Sequence, residues 1–168
     1  MRLRPVLFAM MMATCFTVIN AQHLPIYYGN SEISTMGYFN QGRIEVNFRF
    51  GHYIADTTQM GFYVDFQDSS FYTRTALGAL FIKSFDTPTY IIPYVGAGLG
   101  YGNLERGPVS DKSGVELHFL LGFRYFLSEE VSLNSEFHAG VSSDDTFLDN
   151  SKAESLDLGF RIGLSYSW

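Results

Sequence analysis

From Arg43 to the C-terminus the chain exchanges apolar and polar residues at nearly every step. This is the period-two pattern of strands whose successive side chains face opposite ways. Arg43-Ile44-Glu45-Val46-Asn47-Phe48-Arg49-Phe50 alternates without error, and so does Met60 to Phe66. Val115, Leu117, Phe119, Leu121, Phe123 and Tyr125 share a face opposite Glu116, His118, Leu120, Gly122 and Arg124. Val131, Leu133, Ser135, Phe137, Ala139 and Val141 oppose Ser132, Asn134, Glu136, His138 and Gly140. The last segment is the cleanest: Leu156, Leu158, Phe160, Ile162, Leu164, Tyr166 and Trp168 lie on one side, with Asp157, Gly159, Arg161, Gly163, Ser165 and Ser167 on the other. Segments 71–84 and 89–101 read as strands of weaker contrast, and Pro93 predicts a local break in the second. A further strand is expected within 24–35, although Ile26 to Thr35 alternates poorly.

The links between these segments alternate in length. Turns near 55–58, 85–88 and 127–130 are short, whereas links near 36–42, 102–114 and 143–154 are longer and polar; the link near 67–70 is short where a long one is expected. Termini at one end require an even number of strands, and the length suits eight. The expected fold is all-β, an eight-stranded antiparallel up-and-down barrel.

Alternation does not say which face points inward; charge does. Arg43, Glu45, Arg49, Asp65, Arg74, Glu116, Arg124, Glu136, Asp157 and Arg161 fall on the polar faces, five of each sign. Charges enclosed in a narrow lumen must be paired, because uncompensated burial costs several kcal/mol per ion. Glycines on the same faces leave room for long Arg and Glu side chains, which a solvated outer face would not need. The apolar faces carry aromatics near their ends (Phe71, Phe85, Tyr101, Tyr125, Tyr166, Trp168), as expected of lipid-facing strands with interfacial girdles. Lys83 falls on that register close to a turn, where it could snorkel. A transmembrane barrel is therefore expected, with a soluble sandwich or lipocalin-like barrel as the alternative; that alternative leaves Trp168 unexplained.

Composition narrows the class further. Of 168 residues, 46 % are hydrophobic, 17 % aromatic and only 17 % charged, which argues against disorder. No long apolar stretch follows residue 20, which argues against membrane-spanning helices. Arg2 and Arg4, the apolar run from Val6 to Val18, and Ile19-Asn20-Ala21 read as a signal peptide spanning 1–21, cleaved to leave a barrel domain over 22–168. An uncleaved anchor would need a longer run, and Met12-Ala13-Thr14 fits poorly as a lipidation site before Cys15. The single cysteine lies in that segment, which excludes disulfides, thiolate metal sites and a cysteine nucleophile from the mature chain.

Phe50-Gly51-His52-Tyr53-Ile54-Ala55-Asp56, running into Met60-Gly61-Phe62-Tyr63-Val64, resembles the strand–turn–strand of small bacterial outer-membrane β-barrel domain proteins. Pro93-Tyr94-Val95-Gly96-Ala97-Gly98-Leu99-Gly100-Tyr101 resembles a recurrent strand of that group, which includes the OmpX, OmpW and opacity-protein relatives. The C-terminus ending on Trp168 is similar to the signal read by the barrel-assembly machinery. The resemblance covers 43–168 and implies a Gram-negative outer-membrane location, with membrane lipids and lipopolysaccharide as surroundings. It implies little about activity, since such barrels serve as adhesins, narrow pores, anchors and enzymes.

The residues that could carry chemistry point mostly to structural roles. Glu136, His138 and Ser142 share a strand face, but that face is the lumen, away from lipid. The His-x-Ser-Asn pattern expected of a lipid A deacylase is missing, because Ala139-Gly140-Val141 follows His138. His138, and His118 beside Glu116, are expected to be hydrogen-bonded lumen residues. Asp144, Asp145, Asp149 and Glu154 gather in one outer link without the spacing of a calcium loop. Arg106, Lys112 and Lys152 are too scattered for a nucleic-acid surface. Gly96-Ala97-Gly98-Leu99-Gly100 lacks the following helix and Lys of a phosphate loop, though three lumen glycines in 94–100 could widen a path. No catalytic, cofactor-binding or metal residue is assigned. The expected function is a non-enzymatic envelope or surface role, with a narrow pore as the alternative and a lipid A-modifying enzyme behind it.

Overall fold

The computed structural model of the chain describes residues 26–40, 43–69, 72–106, 109–149 and 152–168. The segment read as a signal peptide lies outside them. Eight strands close one barrel: β1 (Ser31–Asn40), β2 (Arg43–Ala55), β3 (Thr58–Asp68), β4 (Thr73–Ser84), β5 (Ile91–Arg106), β6 (Val109–Phe126), β7 (Val131–Ser142) and β10 (Leu156–Ser167). All neighbouring pairs are antiparallel, and β1 closes on β10. Two short strands, β8 (Phe147–Asp149) and β9 (Lys152–Glu154), form a separate hairpin between β7 and β10.

Register sets the shape. One row of partners runs from Ser167 through Glu32, Gly51, Gly61, Leu80, Gly98, His118 and Gly140 to Asp157. The row returns to β10 ten residues from where it left, at Asp157 instead of Ser167. With strands about 4.8 Å apart and rising about 3.3 Å per residue, that offset tilts them by about 40°, within the usual range for barrels. Most spanning strands have 10 to 13 residues, enough to cross a hydrocarbon band of about 25 Å.

The inward face is the polar one. Glu45, Asp65, Arg74, Glu116, Arg124, Glu136 and Arg161 are buried, while Phe48, Phe62, Leu77, Leu99, Phe119, Leu121, Phe160 and Ile162 project outward. A water-soluble monomer rarely exposes an apolar surface of this extent, and a lipid environment is what makes it favourable. At the lower end, where Ile26 and Trp168 lie, Tyr166 stacks on Trp168 at 5.9 Å, Trp168 meets Phe50 at 6.3 Å, and Phe50 stacks on Phe62 at 5.4 Å. Rings at this level suit the boundary between hydrocarbon and water.

The structure corrects the expectations at three places. The first strand is Ser31–Asn40, so residues 36–40 are strand and not link. Its pattern is blurred because Met36 points in and Gly37 sits on the outer side, the reverse of the polarity elsewhere. The stretch 102–114 is likewise mostly ladder: β5 and β6 continue together to Arg106 and Val109, with a register shift between Leu104 and Arg106. Pro93 causes no break. It pairs with Phe123, and its carbonyl accepts from Phe85 N at 2.8 Å just beyond the last β4–β5 pair, Ser84–Tyr94. The missing N–H thus falls where β4 has already ended, so no ladder bond is lost.

Lys83 behaves as its register implies. Its Nζ donates to Thr57 Oγ1 at 2.7 Å, Thr58 Oγ1 at 3.0 Å and Asp56 O at 3.3 Å. It thereby ties down the β2–β3 turn, where Thr57 has φ of 60°, a conformation that a β-branched residue adopts only at some cost.

Candidate functional site

The lumen is a connected ionic network in two tiers. In the upper tier Arg49 makes a two-pronged contact with Glu136, 2.7 Å at each nitrogen, and Tyr94 donates its hydroxyl proton to the same carboxylate at 2.9 Å. Arg74 bridges Asp65, at 2.6 Å, and Glu116. Arg161 contacts Glu45 and reaches Asp65 at 3.5 Å and Glu136 at 3.9 Å. In the lower tier Arg124 pairs with Glu32 at 2.7 Å, donates to Tyr53 and lies 5.2 Å over the Tyr94 ring. Bidentate guanidinium–carboxylate contacts of this kind are the strong ones. Tyr94 joins the tiers.

Sequence reasoning placed nine of these charges on the inner face and missed Glu32, which the poor alternation of β1 hid; the Arg43 side chain lies outside the described residues. The described lumen charges are six carboxylates (Glu32, Glu45, Asp65, Glu116, Glu136, Asp157) and four guanidinium groups (Arg49, Arg74, Arg124, Arg161). Both buried imidazoles sit on carboxylates: His118 on Glu116 at 3.1 Å and His138 on Asp157 at 2.9 Å.

Both mouths of the barrel are stopped. Below, Ile26 precedes β1 and packs with Tyr53, Ile92 and Phe126, all buried. It is held there by backbone bonds from Thr57 N to Ile26 O at 2.7 Å and from Gly29 N to Tyr53 O at 2.9 Å. Gly29, at φ of +91°, permits the turn. Above, the link after β7 folds inward. Thr146 Oγ1 lies 2.7 Å from both Glu116 Oε1 and Ser142 Oγ. Phe147 is fully buried, edge-on to His118 at 5.8 Å and beneath the Arg74 guanidinium at 4.8 Å.

The inner glycines of β5 do not widen the path, because Tyr63 fills the space beside Gly98 and Gly100, and Ile82 and Leu120 fill that beside Gly96. A Cβ on Gly100 would meet the Tyr63 hydroxyl at 2.2 Å, and one on Gly98 would touch its ring at 3.4 Å. A void of about 10 Å³ remains among Asn47, Tyr63, Asp65, His118 and Arg161, about the room that one water needs.

The residues weighed for catalysis do not converge. Glu136 is engaged by Arg49 and Tyr94, His138 by Asp157, and the Ser142 hydroxyl by Thr146. All three face the lumen, as their register implied. In the outer segment Lys112 donates to Asp145 at 2.7 Å and Asp144 at 3.4 Å, linking the β5–β6 hairpin to the link after β7. The Asp144 carboxyl is held below its ordinary value, chiefly by the Asp145 backbone N–H and then by Lys112; hydrogen bonding to Asp145 raises Lys112. Glu154 is exposed, and the side chains of Arg106, Asp149 and Lys152 lie outside the described residues.

No family model and no curated protein sequence matches the chain. Solved structures do. The N-terminal β-barrel domain of Pseudomonas aeruginosa OprF superposes with a TM-score of 0.66 at 14 % identity, covering 84 % of this chain and 98 % of that one. Neisserial surface protein A gives 0.59 at 16 % identity, with 82 % and 94 % covered. A de novo designed transmembrane β-barrel gives 0.59 at 17 % identity, with 84 % and 97 % covered. The fold is that of the small outer-membrane β-barrels.

Proposed function

We propose that the protein is a non-conducting barrel of the bacterial outer membrane. In this reading its role is to anchor and present its outer segments, the β5–β6 hairpin and the link carrying β8 and β9, at the cell surface or to the envelope. The observation that carries this reading is the closure of the lumen: Ile26, Tyr53, Ile92 and Phe126 at one end, Thr146 and Phe147 at the other, and Tyr63 across the glycine-lined middle. Ion conduction needs a continuous wet path, and the void among Asn47, Tyr63, Asp65, His118 and Arg161 has room for about one water. Lipid and lipopolysaccharide are the surroundings its apolar exterior suits, and Trp168 serves as the terminal signal for assembly. A lipid-modifying reaction is disfavoured by the lumen-facing positions of His138 and Ser142.

Planar-bilayer recording tests the proposal. The refolded chain is expected to give no discrete conductance steps. Steps abolished by boiling the sample would instead establish a pore.

A further inference from the structure

Glu45, His138 and Asp157 are all buried, and one ligand atom from each lies within 4.8 Å of the others. They come from β2, β7 and β10, which the closure of the barrel brings together in its outer half. We propose that these three side chains bind a first-row divalent transition ion of the Zn²⁺ class. One imidazole and two carboxylates form a borderline-hard donor set suited to such ions, and three protein ligands leave a fourth position for water.

Observations independent of the cluster's composition point the same way. His138 presents Nε2 to Asp157 Oδ2 at 2.9 Å in a ring that is 1 % exposed, so one imidazole nitrogen and one carboxylate oxygen already face a common point away from solvent. The ring also has a place made for it: a Cβ on Gly159 would lie 2.4 Å from His138 Cε1. Arg161 engages Glu45 through Oε1, the outer support that ligating carboxylates commonly have. Access exists too. The β1–β10 ladder runs only from Glu32–Ser167 to Gly37–Ile162, so the seam beside Glu45 and Asp157 lies beyond its last pair.

The test uses the refolded chain in detergent, with heat-modifiable mobility confirming the barrel, stripped with chelator and titrated calorimetrically with Zn²⁺. Expected are one ion per chain with micromolar or tighter affinity, no displacement by excess Mg²⁺, and at least about tenfold weaker binding for His138→Ala and Asp157→Asn. Asp145→Asn should leave binding unchanged. Absence of binding by the wild type overturns the proposal. So does full affinity in both site variants, which would place the ion on outer-loop acids. Should His138→Ala fail to fold, the near-isosteric Asp157→Asn and Glu45→Gln decide the matter with the same readout.

Discussion

Replacing Glu136 with Gln should destabilise the barrel more than almost any other single change. The carboxylate is fully buried and accepts two 2.7 Å bonds from Arg49 and one of 2.9 Å from Tyr94, with Arg161 at 3.9 Å. Glutamine keeps the shape but removes the charge, so Arg49 loses its carboxylate partner and Arg161 the most distant of its three. Breaking a buried pair by removing one partner costs about 3–5 kcal/mol. A urea slope of about 2–3 kcal/mol per molar turns a loss of about 4 kcal/mol into a midpoint shift of about 1.3–2 M. Trp168, the single tryptophan, reports unfolding from vesicles by its fluorescence. The companion variant is Arg49→Met with Glu136→Leu, in which both charges go together. It should recover most of the loss, because an apolar replacement of an ion pair is often neutral or better. A shift below about 0.3 M for Glu136→Gln, or a double variant no better than the single, would refute the view that paired charge governs lumen stability.

Other outcomes follow from the same contacts. Gly100→Ala should cost about 1–3 kcal/mol through overpacking, because its Cβ meets the Tyr63 hydroxyl at 2.2 Å and the Leu77 carbonyl oxygen at 2.8 Å; Tyr63→Ala should relieve the first part of that cost, and not the second, in a double-mutant cycle. The Lys112 bridge should depend on pH in a defined sense. Asp144 is lowered, so its contribution is present above the ordinary carboxylate value and is lost as pH falls through the lowered one. Lys112 is raised, so its contribution is present below the ordinary amine value and is lost as pH rises through the raised one. Hydrogen exchange at Val115 N, bonded to Ser143 Oγ at 3.0 Å, should therefore stay slow from about pH 4 to about pH 10 after correction for intrinsic rates; acceleration inside that window would count against the bridge. Trp168→Asp should slow insertion into vesicles or assembly in cells more than Asp145→Asn does, measured by the fraction of heat-modifiable protein.

Much of the barrel was legible because lipid and lumen impose opposite demands on alternate residues. Where each strand meets both demands, as in Arg43–Phe50 and Leu156–Trp168, the register could be read directly and the inner charges followed. β1 escaped because Met36 is buried against the lumen while Gly37 adds no apolar surface outside. The β5–β6 hairpin escaped for a different reason. Residues 102–106 and 109–114 continue the ladder, while their sequence no longer exchanges apolar and polar residues at each step. The stoppers were not legible at all. Ile26 and Phe147 lie outside any spanning strand, and only the closed fold shows that each enters a mouth of the barrel.

Those same stoppers belong to the lumen and not to the strand order. A designed barrel shares the architecture, so eight tilted strands with a greasy exterior carry no activity in themselves. What this chain adds lies in the lumen. A pore would spend its inner face on small residues and water, whereas this one spends its glycines on accommodating Tyr63, Tyr94 and His138. Each ring then blocks part of the cross-section or positions a carboxylate: Tyr94 on Glu136, His138 on Asp157. The buried charges of the described lumen are thus engaged by internal pairs. Phe147 carries the point furthest, because it extends that pairing to a surface link. Its ring packs against His118 and under Arg74, coupling the link after β7 to fully buried charges. Phe147→Ala should therefore loosen the outer link and the upper ionic tier together. Protease sensitivity within 143–155 should rise in step with a lower urea midpoint; a change in one without the other would show that the plug and the network are independent.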